Sequence, residues 1–195
     1  MALVPTSGPA LEPITLAEAK AHLRVDGADD DTLIGALIAT SRLHIEAALG
    51  CALITQGWSL YRDDWPLRGP VRLPLSPLQS IDAVRLYALD GSTTLLAQSS
   101  YQVDAIGTPP RMVRLPGSDW PKPGRPVNGI EIAFTAGYGA TPSAVPAPIR
   151  HALLLLVAHW YENREPVKLI GGGFKPMRIP DMVSELMLPY RAGRP

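Results

Sequence analysis

The segment from Ile149 to Glu165, IRHALLLLVAHWYENRE, sets seven apolar residues in a row between Ala152 and Ala158. Pro148 suits an early helical position, where its missing N–H costs nothing. The polar stretch YENRE and then Pro166 close the helix. A helix that is apolar nearly all round must be covered on more than one side. It is too short to span a bilayer. Its cover is therefore a domain core or a neighbouring subunit, and Ile149, Leu153, Leu156, Val157 and Trp160 are the residues expected to face it. A helix of this kind points towards an assembly protein.

The 195 residues allow one large domain or a core with a sizeable insertion, and at 46% hydrophobic they can build a packed interior. Lys plus Arg and Asp plus Glu balance at 18 each, so no overall field recruits nucleic acid. The balance is uneven along the chain. Residues 1–50 hold seven acids and three bases, a net of −4, whereas residues 166–195 hold five bases and two acids, a net of +3. Such ends suit neighbours stacked above and below, and they equally suit solvated faces. Cys51 is alone, so neither a disulfide framework nor a thiolate metal cluster is expected. The N-terminus MALVPTSGPALEP lacks the basic-then-apolar order of a signal peptide. With no transmembrane segment in the reading, a soluble cytoplasmic chain is expected.

Local pattern divides the chain into segments. Residues 1–13 are Pro-rich and aperiodic and read as an extended or mobile arm. Thr15 and Glu18 form a capping box that opens a first helix. The run Asp29-Asp30-Asp31 opens a second, in which Leu33, Ile34, Leu37, Ile38, Ile45 and Leu49 follow helical spacing up to Gly50. Beyond Cys51 short β-branched runs take over. Strands are expected at Thr55–Tyr61, Val71–Leu73, Ala83–Leu89, Thr93–Leu96, Tyr101–Val103, Met112–Leu115 and Ile130–Thr135, with Asp90-Gly91 marking a hairpin. The glycine triplet Gly171, Gly172 and Gly173 reads as a hinge. After it, Pro180 and Asp181 start a short helix with Met182, Val183, Leu186 and Met187 on its apolar side. The fold class is α+β: a helical core at 14–51 and 141–166, an antiparallel β-rich insertion at 52–140, and a flexible tail at 167–195.

Chemistry is thinly represented. The acids Asp26, Asp29, Asp30 and Asp31 lack the alternating spacing and closing Glu of a calcium loop. His151 and His159 stand about two helical turns apart, more than roughly 10 Å, which one metal ion cannot bridge. No nucleophile elbow or phosphate-binding loop appears, so catalytic, metal and cofactor sites are all expected to be absent, and the chain is not expected to be an enzyme. Arg62, Arg68, Arg72, Arg111, Arg114 and Arg125 decorate the β region beside Trp58, Trp65 and Trp120. Aromatic stacking with arginines keeps a second reading open, a module that binds glycan or single-stranded nucleic acid through the β-insertion.

Four blocks in order carry a resemblance. They are ITLAEAKAHLRVDGADDDTLIGALIATSRLHIEAALGCALITQGW, RLPLSPLQSI, IEIAFTAGYG and VPAPIRHALLLLVAHWYENRE. Together, from about Ile14 to Glu165, they resemble the head–tail connector, or adaptor, family of long-tailed phages, whose relatives occur in prophages and alphaproteobacterial gene transfer agents. The resemblance implies a homo-oligomeric, dodecameric ring between a portal protein and a tail-side stopper or terminator. DNA passes through the lumen without sequence-specific binding, and no membrane or cofactor is involved. Such a chain assembles in the bacterial cytoplasm and ends in the neck of a phage-like particle. The tail, Phe174–Tyr190, is then the portal-docking segment, with Phe174, Lys175, Arg178, Met182, Val183, Leu186, Met187 and Tyr190 as its contacts.

Overall fold

The computed structural model describes residues 1–163, 167–170, 173–176 and 178–191. Its strands are β1 (Ala2–Ser7), β2 (Gln56–Arg62), β3 (Val71–Arg72), β4 (Leu78–Tyr87), β5 (Thr93–Leu95), β6 (Tyr101–Asp104), β7 (Arg111–Arg114), β8 (Ile130–Ala136), β9 (Val167–Ile170) and β10 (Gly173–Pro176). The helices are α1 (Leu16–Leu23), α2 (Asp31–Leu49), α3 (Ala147–Glu162) and α4 (Asp181–Met187). The class is α+β. The chain forms two compact units, a β unit from Met1–Ala10 with Gly50–Ala140 and a helical unit from Leu11–Leu49 with Thr141–Arg191.

In the β unit an antiparallel five-stranded sheet runs β1-β2-β8-β4-β5, and a three-stranded sheet runs β3-β7-β6. Alternation explains how they share a core. Leu60, Val84, Ile132 and Phe134 of the first sheet pack with Val71, Tyr101 and Met112 of the second, all nearly free of solvent. Between β4 and β5 the Asp90-Gly91 turn closes as its sequence suggests. Gly91 takes φ +85°, and the Asp90 carboxylate accepts the Ser92 N–H at 2.9 Å. Residues 2–7 are a strand rather than a free arm, because Leu3 packs on this core and the edge position of β1 tolerates Pro5.

The helical unit starts where the capping box predicts. Thr15 Oγ1 accepts the Glu18 N–H at 3.1 Å, and Glu18 Oε2 accepts the Thr15 N–H at 2.8 Å. The Glu18 carboxyl is held below its ordinary range, chiefly by that backbone N–H, with Arg150 of α3 also bonded to it. Asp31 pairs with Lys20 of α1, and Asp30 accepts the Tyr161 hydroxyl of α3, so the acidic run ties three helices together. Ile34, Ile38, Ile45, Ile149, Leu153 and Leu156 fill the interior. By length and mean apolarity α2 alone among the described helices matches a membrane span. Its Arg42 and Glu46, however, are buried and ion-paired within this unit, the pattern of a core helix in a packed domain.

Residues 167–176, expected as hinge and tail, contain a hairpin. β9 pairs antiparallel with β10, setting Phe174 opposite Leu169 and Lys175 opposite Lys168. Gly173 opens β10, while Gly171 and Gly172 lie outside the described residues. The short helix expected after Pro180 is α4, and it packs on α3.

Candidate assembly surfaces

The apolar run of α3 is split by helical geometry. Ala152, Leu153, Leu156 and Val157 are fully buried in the helical unit, as is Ile149 one turn earlier. Leu154, Leu155 and Ala158 recur on the other side at helical spacing and are only half-buried. Trp160 is half-buried too, its ring meeting His44 of α2 edge-on at 5.8 Å. Of the five residues read as core or subunit contacts, four are therefore core of this chain's own unit.

α4 divides in the same way. Val183 and Met187 are buried, while Met182 is 54% exposed and Leu186 half-buried. Leu188 in the following 3₁₀ turn is 57% exposed, Tyr190 half-buried, and Arg178 before the helix exposed. Of the expected tail contacts, Val183 and Met187 hold α4 in place, Arg178 and Met182 face solvent, Leu186 and Tyr190 are half-buried, and the side chains of Phe174 and Lys175 lie outside the described residues. Met182 and Leu188 are exposed apolar residues, with the exposed Arg178 and Arg191 near them in the sequence, a composition suited to a protein partner.

In the β unit Trp65 and Trp120 are half-buried and line a surface cleft with Arg68 and Arg114. Trp58, Trp65 and Trp120 pack against the unit's core. Trp65 and Trp120 lie on one another with centroids 4.3 Å apart, and Trp65 Nε1 donates to the Pro121 carbonyl at 2.8 Å. The unit's other polar cluster was not apparent from the sequence, because its members come from three strands. Glu131 of β8 accepts the Ser59 hydroxyl of β2 at 2.7 Å and the Tyr87 hydroxyl of β4 at 2.6 Å, with Arg85 at 3.4 Å. Burial raises the Glu131 pKa, but these donors outweigh it and hold the carboxyl below its ordinary range. The same bond raises the Tyr87 hydroxyl. A carboxylate satisfied this fully is a rigid structural element and offers no free base. Among the described residues no group of three or more His, Cys, Asp or Glu side chains is placed to hold a metal ion.

Among the described residues several apolar side chains, Met182, Leu188 and Ile106 among them, stay uncovered. Residues 13–108 match the family described as phage gp6-like head-tail connector protein. Over that stretch, just under half of its length, the chain is similar to that family. Solved structures resemble it from end to end. Against the "Neck of empty GTA particle computed with C6 symmetry" this chain aligns at 27% identity over 100% of its own length and 97% of the other chain, with a TM-score of 0.84. The "Virion of native gene transfer agent (GTA) particle" gives 27% identity, the same coverages and a TM-score of 0.81. The "Neck of native GTA particle computed with C12 symmetry" gives 28% identity, again the same coverages, and a TM-score of 0.73. No curated protein sequence matches this chain significantly.

Proposed function

We propose that this chain is a structural head–tail adaptor, forming a ring in the neck of a phage-like particle between a portal protein and a tail-side stopper or terminator, around the path of the DNA. The observation that carries the reading is the end-to-end likeness to chains from particles described as gene transfer agent necks, one with C6 and one with C12 symmetry. A ring of identical chains joins each copy to the next through two different surfaces. Twelve copies is the proposed number. Near-neutral charge suits a conduit through which DNA must slide, since dense phosphate contacts bind it tightly.

For the portal contact we assign the outward side of the C-terminal segment: Arg178, Met182, Leu188 and Tyr190, with Leu186 at its margin. Val183 and Met187 act by seating α4 on α3. Deleting the gene from a producing strain tests the adaptor role. The expected result by negative-stain microscopy is heads and tails made separately and never joined. Complete particles in normal yield would overturn it.

A further inference from the structure

The β2–β3 loop and the connection from β7 to β8 meet at a cleft on the surface of the β unit. Trp65 and Arg68 line it from the first segment, and Arg114, Asp119 and Trp120 from the second. Its volume, about 530 Å³, lies in the range of sites that take a small ligand. A turn brings the second wall into place. The Ser118 N–H donates to the Leu115 carbonyl at 3.2 Å, and Gly117 takes φ +79°, which glycine adopts freely. The chain doubles back there and lays Trp120 against Trp65.

The aromatic wall is fixed before any ligand arrives. Trp65 Nε1 is tied to the Pro121 carbonyl, and the Trp65 backbone N–H donates to Asp64 Oδ1 at 2.8 Å. Both indoles pack on the core, yet both are only half-buried and keep part of their surface open to the cleft. An aromatic surface already held in place lowers the cost of binding. Trp120 Nε1 finds no acceptor in the chain, which leaves an unsatisfied donor in a residue of this wall.

The polar groups around it are available and of both signs. Arg68 is exposed and has no ion pair among the described residues. Arg114 Nη1 and Asp119 Oδ1 stand 3.2 Å apart, with side chains 55% and 100% exposed. A pair so open to water contributes little and exchanges readily for contacts to a ligand. The cleft therefore offers guanidinium donors and a carboxylate acceptor beside an indole wall.

Charge decides which ligand fits. A nucleic-acid strand needs a basic groove along its phosphates. Here Asp119 stands in the wall, and among the described residues of the β unit Lys and Arg exceed Asp and Glu by only eight to seven. No field gathers phosphates at such a site. A neutral pyranose ring matches it better, because its C–H face lies flat on an indole while its hydroxyls both donate to a carboxylate and accept from a guanidinium. We propose that this cleft binds a neutral oligosaccharide. One sugar ring lies against the Trp65–Trp120 pair, Arg68 and Arg114 donate to hydroxyl oxygens, and Asp119 accepts from a hydroxyl. The site lies wholly within the β unit and adds a binding function to the adaptor role.

The test is biolayer interferometry of the purified chain on two sets of immobilised probes, with a thymidine oligonucleotide as the comparison. Neutral bacterial capsular and O-antigen polysaccharides form one set and identify a cell-surface source. Neutral α- and β-glucans form the other and identify a storage or matrix source. Wild type is expected to bind at least one of these polysaccharides, with less than about a twofold change between about 50 and 200 mM salt, since no phosphates are engaged. Arg68→Ala and Asp119→Ala, both at exposed positions, melt like wild type and each weaken that binding about tenfold. Asp119→Ala separates the ligand classes, because losing the carboxylate weakens a sugar contact and strengthens a phosphate one. Binding to none of the polysaccharides overturns the inference, and so does binding that both variants retain. Binding confined to the oligonucleotide, falling steeply with salt and rising in Asp119→Ala, assigns the cleft to single-stranded nucleic acid and also overturns it. Each of these outcomes leaves the adaptor role standing, because ring formation on the portal reads that role separately.

Discussion

Arg42 grips Glu12, thirty positions earlier in the chain, with two guanidinium nitrogens, Nε at 2.8 Å and Nη2 at 3.3 Å, and turns Nη1 to Glu46 at 2.9 Å. The first contact pins the entry of the helical unit to the middle of α2, and the second lies within one turn of α2. Burial lowers the Arg42 pKa, but the two carboxylates raise it on balance, so the cation is secure.

Arg42→Met tests that anchor. Removing one member of a mostly buried ion-paired group costs about 3 kcal/mol, because the remaining carboxylates keep their desolvation penalty and lose the cation. A thermal melt followed by circular dichroism is expected to shift down by roughly 6–12 °C for a chain of this size. A shift of less than about 2 °C would show that the contact contributes little.

The Glu131 cluster predicts a pH dependence. Its folded pKa lies below the ordinary 4.5, so the stability it contributes is fully present above that value and is lost as pH falls through the folded one. Melting temperature is expected to decline more steeply below about pH 4.5 in wild type than in Glu131→Gln, which starts lower at neutral pH. Tyr87→Phe removes a strong donor, brings the folded pKa closer to the unfolded one and makes the acid decline shallower. Parallel wild-type and Glu131→Gln curves would contradict the assignment.

The two sides of α4 separate stability from docking. Met187→Ala empties a buried site and costs about 2–5 kcal/mol. Paired Met182→Lys and Leu188→Lys changes, both at exposed positions, leave the melt within about 0.5 kcal/mol of wild type and weaken portal binding at least about tenfold. Surface plasmon resonance on immobilised portal reads this directly. Unchanged affinity in the paired variant, with the melt intact, would remove this surface from the portal contact.

Much of the architecture is local and therefore legible in the sequence. The capping box of Thr15 and Glu18, the Asp90-Gly91 turn and the alternation in Ile130–Ala136 each encode their structure within a few residues. What escaped is long-range. β1 is hidden by Pro5 and finds its partner β2 more than fifty residues on, which no local pattern announces. The pairing of β9 with β10 was not legible either, because strands of four residues are too short to show a period. The i, i+4 pair of Arg42 and Glu46 was open to reading, whereas Glu12 joins it only through the fold. Burial on α3 was half legible. Composition made the whole helix a core candidate, and only the packing reveals that Leu154 and Leu155 remain half-exposed.

The most direct test of the adaptor role is to mix the purified chain with its candidate portal ring and weigh the product by native mass spectrometry. The account predicts one discrete complex carrying twelve copies of this chain on the portal. A portal ring that binds another known partner but takes up none of this chain would contradict it.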